Sequence, residues 1–391
     1  MKLRDLLGFI LVAACVMVTA VRVAAQRPPE QDYLVYVLSE STDKISVVRF
    51  GPKGARVEHS FETGVMPTDV DGPHGIAVSP DKQFYYVSLG HGRPFGSVWK
   101  YATKDNSILG KVTLGYFPAT VDVTPNGDFL YAVNFNLHGD MVPSSVSVVA
   151  VSEMLEVARI PTCTMPHGSR LNPQGTKHYS ACMMDDMLVE IDTSTLKVAR
   201  YFMLTKGKEM GMTGTPPQRG SKETSGHMDM GGHGMEPPKP GDVSCSPTWA
   251  QPSADGSMIY VACNKSSEIV EIDSKQWKVT RRLPAGAGVY NLAVTKDGTR
   301  LIATNKRGQS VSVFDLKTGQ EIARLPTKRK VLHGVAVSPD NRYAFVSVEG
   351  IGAEPGTVEI IDLQALKTVA TVDVPPQAAG IDFWKTEKSS Q

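Results

Sequence analysis

The chain has 391 residues, with 41 Lys and Arg against 40 Asp and Glu and a formal net charge of +1. So even a balance excludes the broad basic footprint expected of a nucleic-acid or anionic-membrane partner. A length that would suit two domains can also be absorbed by one closed repeat fold.

Residues 1–25 read as a signal peptide: basic Lys2 and Arg4, an apolar run from Phe9 to Val21, then Val23-Ala24-Ala25 ahead of Gln26. The run is short for a bilayer span, and no other stretch could cross one. Val12-Ala13-Ala14-Cys15 resembles a lipoprotein box, but the apolar run continues past Cys15, which favours cleavage. The expected product is a periplasmic or secreted monomer with no membrane span after signal removal, a single domain over residues 26–391.

From Tyr36 onward one unit recurs. A strand-like run is followed by a short polar loop and a second alternating strand, with copies at Tyr36, Tyr86, Tyr131, Tyr179, Tyr260, Ile302 and Phe345. The intervals are 42 to 50 residues, save 81 between Tyr179 and Tyr260. This period predicts blades of four antiparallel strands, A to D, in a β-propeller. Strand A is the run before each copy, such as PHGIAVSP (73–80) or LHGVAVSP (332–339), and turn dipeptides such as Asn-Gly or Asp-Gly follow most of these runs. The N-terminal unit (33–61) has strands B, C and D but no A, and 378–384 is a lone strand A. Joining them predicts seven blades and a closed ring without exposed sheet edges.

The repeated unit [YF]-V-[AS]-x-[NC] … V-x-[VI]-[ID]-D resembles the YVTN-type repeat of exported bacterial YncE-like and surface-layer propellers. It is distantly similar to the propeller domain of haem-d1-type nitrite reductases. The resemblance covers residues 33–384. It implies the fold and leaves the ligand open, since such propellers bind quite different things.

Residues 206–242 interrupt the repeat without one Val, Ile, Leu, Phe, Tyr or Trp, so they cannot build a core. They hold Met210, Met212, His227, Met228, Met230, His233 and Met235. Thioether and imidazole select Cu(I), or serve Cu(II) and Ag(I), and the stretch resembles the Met/His-rich inserts of periplasmic copper-handling proteins. The other reading is a flexible linker.

Cys182 and Cys263 each follow the strand-B Tyr of their blade by three residues, and Cys163 and Cys245 sit just before strand A of the same blades. The start of A lies beside the end of B, which predicts disulfides Cys163–Cys182 and Cys245–Cys263. A thiolate metal site shared by the two blades, helped by nearby methionines, is the alternative.

His74, His167 and His333 hold one slot of blades 2, 4 and 7, each followed by Gly; the other occupants are Ala119, Thr248, Tyr290 and Ala379. With His91 and His138 in B–C loops and the insert in a D–A loop, seven of nine histidines map to one face. The pattern is similar to nitrous oxide reductase, where histidines at the mouth of a seven-bladed propeller hold copper; this chain lacks the electron-transfer domain and most of the histidine pairs. Alternatively, His-Gly is a repeat feature whose imidazole bonds a neighbouring blade. Asp185, Asp186, Asp273, Asp315 and Asp362 read as turn formers.

The sequence thus points first to a non-enzymatic exported propeller. Its upper face would bind copper or another soft metal and meet a small molecule or protein of unknown identity, with no nucleic acid. The alternatives are a propeller-type hydrolase or lactonase, with Glu349, Arg93 and Arg307 in upper B–C loops, and a haem-d1 or quinone-cofactor propeller with His74, His167 or His333 at the cofactor.

Overall fold

The structure, a computed structural model, describes residues 28–64, 69–91, 95–137, 139–140, 142–214 and 245–389. Short alternating segments form seven antiparallel sheets, six of four strands and one of five, arranged as the blades of a propeller. Innermost strands run Pro73–Val78, Pro118–Val123, Pro166–Leu171, Pro247–Pro252, Val289–Val294, Leu332–Val337 and Ala378–Lys388. Four begin at a proline, a strand start at which the missing N–H costs no ladder bond. The A–B turns use Gly127, Gly175, Gly256 and Gly298 at positive φ, as their dipeptides require.

Ring closure takes the expected form. Residues Ala378–Lys388 pair with Gln31–Ser39 in register Val35↔Phe383, Tyr36↔Asp382 and Val37↔Ile381. Blade 1 is therefore built from both ends of the chain. Among the described residues, seven apolar clusters lie one at each junction between neighbouring blades, for example Tyr33, Val35 and Phe50 with Tyr343, Phe345 and Val358 between blades 1 and 7. Burial between blades, the dominant favourable term in folding, therefore holds the ring.

Both predicted disulfides are present, Cys163–Cys182 and Cys245–Cys263, with Cα atoms 5.9 and 4.4 Å apart. No thiolate remains on these four residues, so the shared thiolate site is ruled out.

The insert is corrected at its start. Met210–Met212 form a fifth strand on the outer edge of blade 4, pairing Tyr201↔Met212 and Met203↔Met210. Backbone pairing needs no apolar side chain; the strand is held by a Glu209–Arg282 ion pair and by Met212 against the junction of blades 3 and 4. His227, Met228, Met230, His233 and Met235, like residues 1–25, Arg93 and His138, lie outside the described residues.

Candidate functional site

The upper end of the channel is built by one repeated device. Two residues before each slot, the chain takes a left-handed conformation: Gly72, Phe117, Met165, Ser246, Gly288, Val331 and Gln377, with φ from 44° to 68°. The carbonyl of each accepts a hydrogen bond from the N–H of a residue at the end of strand B: Gly90, Phe135, Met183, Asn264, Lys306, Glu349 and Glu40 respectively, at 2.9 to 3.2 Å. This bond fastens the D–A turn to the B–C loop seven times over. It stacks two rings of side chains at the mouth, the slot residues below and the strand-B residues above.

The lower ring alternates in size. Ala119, Thr248 and Ala379 are small, and His74, His167, Tyr290 and His333 converge over them. His74 lies 5.0 Å from His333 and 6.2 Å from His167 between ring centroids. His167 Nδ1–H donates to the Thr248 carbonyl of the next blade at 3.0 Å, which leaves Nε2 to accept from the Tyr290 hydroxyl at 3.0 Å. The structural reading of His-Gly thus holds for His167. His333 Nε2 stands 3.5 Å from the same hydroxyl, and its Nδ1 faces the Ala379 carbonyl outside good hydrogen-bond geometry. The glycine after the histidine is a matter of contact: a Cβ at Gly75 or Gly168 would stand 2.1 or 2.3 Å from the next blade's carbonyl.

The upper ring brings charge. Glu40, buried, spans two imidazoles: Oε2 to His74 Nδ1 at 3.1 Å and Oε1 to His91 Nε2 at 2.8 Å. Gly72 makes this possible, because a Cβ there would meet the His91 ring at 2.0 Å. On the far side Lys306 Nζ meets Glu349 Oε1 at 3.0 Å and lies 4.4 Å over the Tyr290 ring.

Burial would raise the Glu40 carboxyl, but His74 and then His91 outweigh it and bring it down to about 2. Burial, with His74 next, pushes the His167 imidazole down to about 3, and burial with Lys306 pushes His333 well below its ordinary value. Burial raises the Tyr290 phenol to about 12. For Lys306 burial works downward, yet Glu349 and Tyr290 prevail and raise it. The mouth therefore holds a carboxylate, an ammonium and two neutral imidazoles at neutral pH.

Beneath the rings is a cavity of about 30 Å³ lined by His74, His167, Arg170, Trp249, Asn291 and His333. Trp249 Nε1 and Asn291 Oδ1 are buried there without a protein partner. Such a space suits one or two waters; a haem or quinone would have to lie above the rings.

Of the residues singled out from sequence, His74, His167 and His333 come together. Met210 and Met212 do not join them: they lie four strands out on their blade, roughly 19 Å away at strand spacing. Among the described residues, no group of three His, Cys, Asp or Glu is set to hold a metal ion, and two of the three slot imidazoles turn toward Tyr290. Asp273, Asp315 and Asp362 do cap turns. Asp185 and Asp186 lie in the turn between the B and C strands of blade 4 and accept from Thr164 and Ser246 N–H. Glu40 and Lys306 were not singled out; aligning the repeats at the end of strand B would have exposed them, with Glu349, as charges where the other four blades carry Gly, Phe, Met and Asn.

The model of the family described as Lactonase, 7-bladed beta-propeller matches residues 26–141, the stretch that carries Glu40, His74 and His91. No curated protein matches by sequence. Hydrazine synthase of Kuenenia stuttgartiensis superposes with a TM-score of 0.61 at 21% identity, over 82% of this chain and 91% of that one. A protein of unknown function from Desulfotomaculum acetoxidans DSM 771 gives 0.64 at 13%, covering 90% and 98%. A Bacteroides fragilis NCTC 9343 protein, provisionally described as a 6-phosphogluconolactonase, gives 0.65 at 14%, covering 90% and 98%. At these identities the likeness is one of fold.

Proposed function

We propose that this chain is a hydrolase that opens a lactone at the channel mouth, with His74 as general base. The observation that carries the reading is the Glu40–His74 pair: a buried carboxylate takes His74 Nδ1–H, which leaves Nε2, engaged by no described residue, beside a water-sized cavity. The lactonase-family match over the same residues supports it, and it favours the hydrolase over the non-enzymatic scaffold.

In this mechanism His74 Nε2 takes a proton from water, and the water oxygen adds to the lactone carbonyl. Glu40 holds the tautomer and stabilises the imidazolium. Lys306 offsets the charge on the tetrahedral oxygen. When the ring C–O bond breaks, the imidazolium returns its proton to the leaving alkoxide, so the product is the open hydroxy acid. The purified full chain should hydrolyse γ-butyrolactone or glucono-δ-lactone above the buffer rate in a pH-stat. Replacing His74 by Asn should lower kcat by roughly 10²–10⁴. No rate above buffer with any lactone, or an unchanged rate in the variant, would sink the reading.

A second proposal concerns the insert, on the strength of its composition. With Cys163, Cys182, Cys245 and Cys263 held in disulfides, the insert offers Met210, Met212, His227, Met228, Met230, His233 and Met235 as soft donors for Cu(I). We read the chain as an exported protein of the YVTN-repeat type, to which the disulfides are suited; no helix of the described residues is long and apolar enough to cross a membrane. Competition with a Cu(I) chelator at pH 7 and pH 5 tests the insert. Thioethers keep the ion in acid and imidazoles lose it, and binding no tighter than that of a Met-poor propeller would leave a linker.

A further inference from the structure

On each innermost strand a further set of positions lies three residues beyond the histidine slot. Three blades carry Ala there and one carries Gln251, while Asp122 and Asp382 are its carboxylates; Arg170 of blade 4 is its one cation. Arg170 lines the cavity beneath His74, His167 and His333. Its Cζ lies 4.5 Å over the ring of Trp249 in blade 5, and one Nη1–H donates to the Ser169 carbonyl at 2.9 Å. Gly168 makes room for that stack, since a Cβ there would stand 2.4 Å from the Trp249 ring.

Arg170 has a place but no counter-ion. Asp122 and Asp382 act on it through their fields. Their oxygens accept instead from the backbone N–H groups of Leu171 and Val123, and of Val78 and Phe383, at 2.7 to 3.0 Å. A guanidinium carries five N–H donors in a planar fork, and apart from the bond to Ser169 those of Arg170 meet no acceptor among the described residues. The side chain is half-buried, where an unmatched charge is costly. Trp249 Nε1 and Asn291 Oδ1, buried and unpartnered, belong to residues that line the same space. Lys306 differs, because Glu349 already matches it at 3.0 Å.

We propose that this cavity binds one small carboxylate on the Arg170 fork. Guanidinium and carboxylate match through two parallel N–H···O bonds. A space for one or two waters admits the head of a carboxylate and is small for a phosphate or a sugar. In the lactone reading above, on which this step rests, the same fork serves the reaction. Water gives a proton to His74 Nε2 and adds to the carbonyl carbon, and the carbonyl electron pair moves onto the oxygen, which accepts N–H bonds from Arg170. When the ring C–O bond breaks, the C=O bond re-forms and the leaving alkoxide takes the proton from His74. The new carboxyl group then releases its own proton to solvent, and Arg170 holds the carboxylate. Arg170 is thus a catalytic residue, and the product is an inhibitor.

The test uses the full chain, with sodium acetate as the probe and acetamide as its neutral control, both read by calorimetry, and γ-butyrolactone for hydrolysis. Acetate should bind and acetamide should not. Arg170→Gln should weaken acetate by about tenfold or more, the worth of one hydrogen bond to a charged group, and lower kcat by roughly 10²–10³, as the loss of an oxyanion donor does. Arg170→Lys keeps the charge and loses the fork, so it should recover part of both; it also decides the matter if Arg170→Gln does not fold. Acetate bound through Arg170 in a chain that opens no lactone would keep the carboxylate site and sink the hydrolase. No acetate binding, or equal affinity in the full chain and the variants, would overturn the site. An unchanged kcat in a folded Arg170→Gln that hydrolyses lactones would overturn the catalytic role and leave the hydrolase.

Discussion

The junctions between blades and the mouth of the channel are made by the same seven repeats, yet they obey opposite rules. At the junctions each blade brings the same kind of residue to the same place, so that Tyr36, Tyr86, Tyr131, Tyr179, Tyr260, Ile302 and Phe345 of successive blades are each buried in a different junction cluster. At the mouth one backbone device, the left-handed turn tied to strand B, presents Glu, Gly, Phe, Met, Asn, Lys and Glu in turn. Regularity supplies the ring, and the departures from it place the charged and imidazole groups at the mouth. The division has consequences that can be measured.

Breaking a junction should cost most. Deletion of residues 378–391 removes the innermost strand of blade 1 and part of the cluster it shares with blade 7. The melting temperature should fall by well over ten degrees, or the chain should not fold; an unchanged melting temperature by calorimetry would contradict the closure. Next comes the Cys163–Cys182 bridge, which spans 19 residues. Replacing both cysteines by Ser should cost about 3 kcal/mol in denaturant unfolding in the chain-entropy treatment.

A smaller effect follows from the mouth through protons. The His167 imidazole is lowered in the fold to about 3, so between about pH 6.5 and pH 3 the unfolded chain binds a proton that the folded chain does not. Stability must fall as the pH falls through that window, by about 1.4 kcal/mol per unit from this residue. His178, buried without a hydrogen bond, is lowered likewise to about 3. His167→Asn should remove its share of the slope, and urea titrations at several pH values would read it; an unchanged slope would mean that the imidazole already charges in the fold.

The same division explains how much was legible in the sequence. The blade count, the closure and both disulfides could be read, because each rests on a pattern repeated at fixed period. His74, His167 and His333 were visible as occupants of one slot. The left-handed turns were not, since Phe117, Met165, Val331 and Gln377 carry no glycine signal for positive φ. Glu40 was missed because its role comes from two histidines that lie 34 and 51 residues on. The strand at Met210–Met212 was missed because the edge of blade 4 recruits it through backbone bonds.

The most direct test of the central claim, that the charged departures at the mouth act as one catalytic unit on an indifferent scaffold, is a double-mutant cycle. Lactone hydrolysis and melting temperature are measured for the full chain, Glu40→Gln, His74→Asn and the pair. If Glu40 works only through His74, the double variant loses no more kcat than His74→Asn alone, with melting temperatures close to one another. Losses that add, or that track a falling melting temperature, would contradict the account.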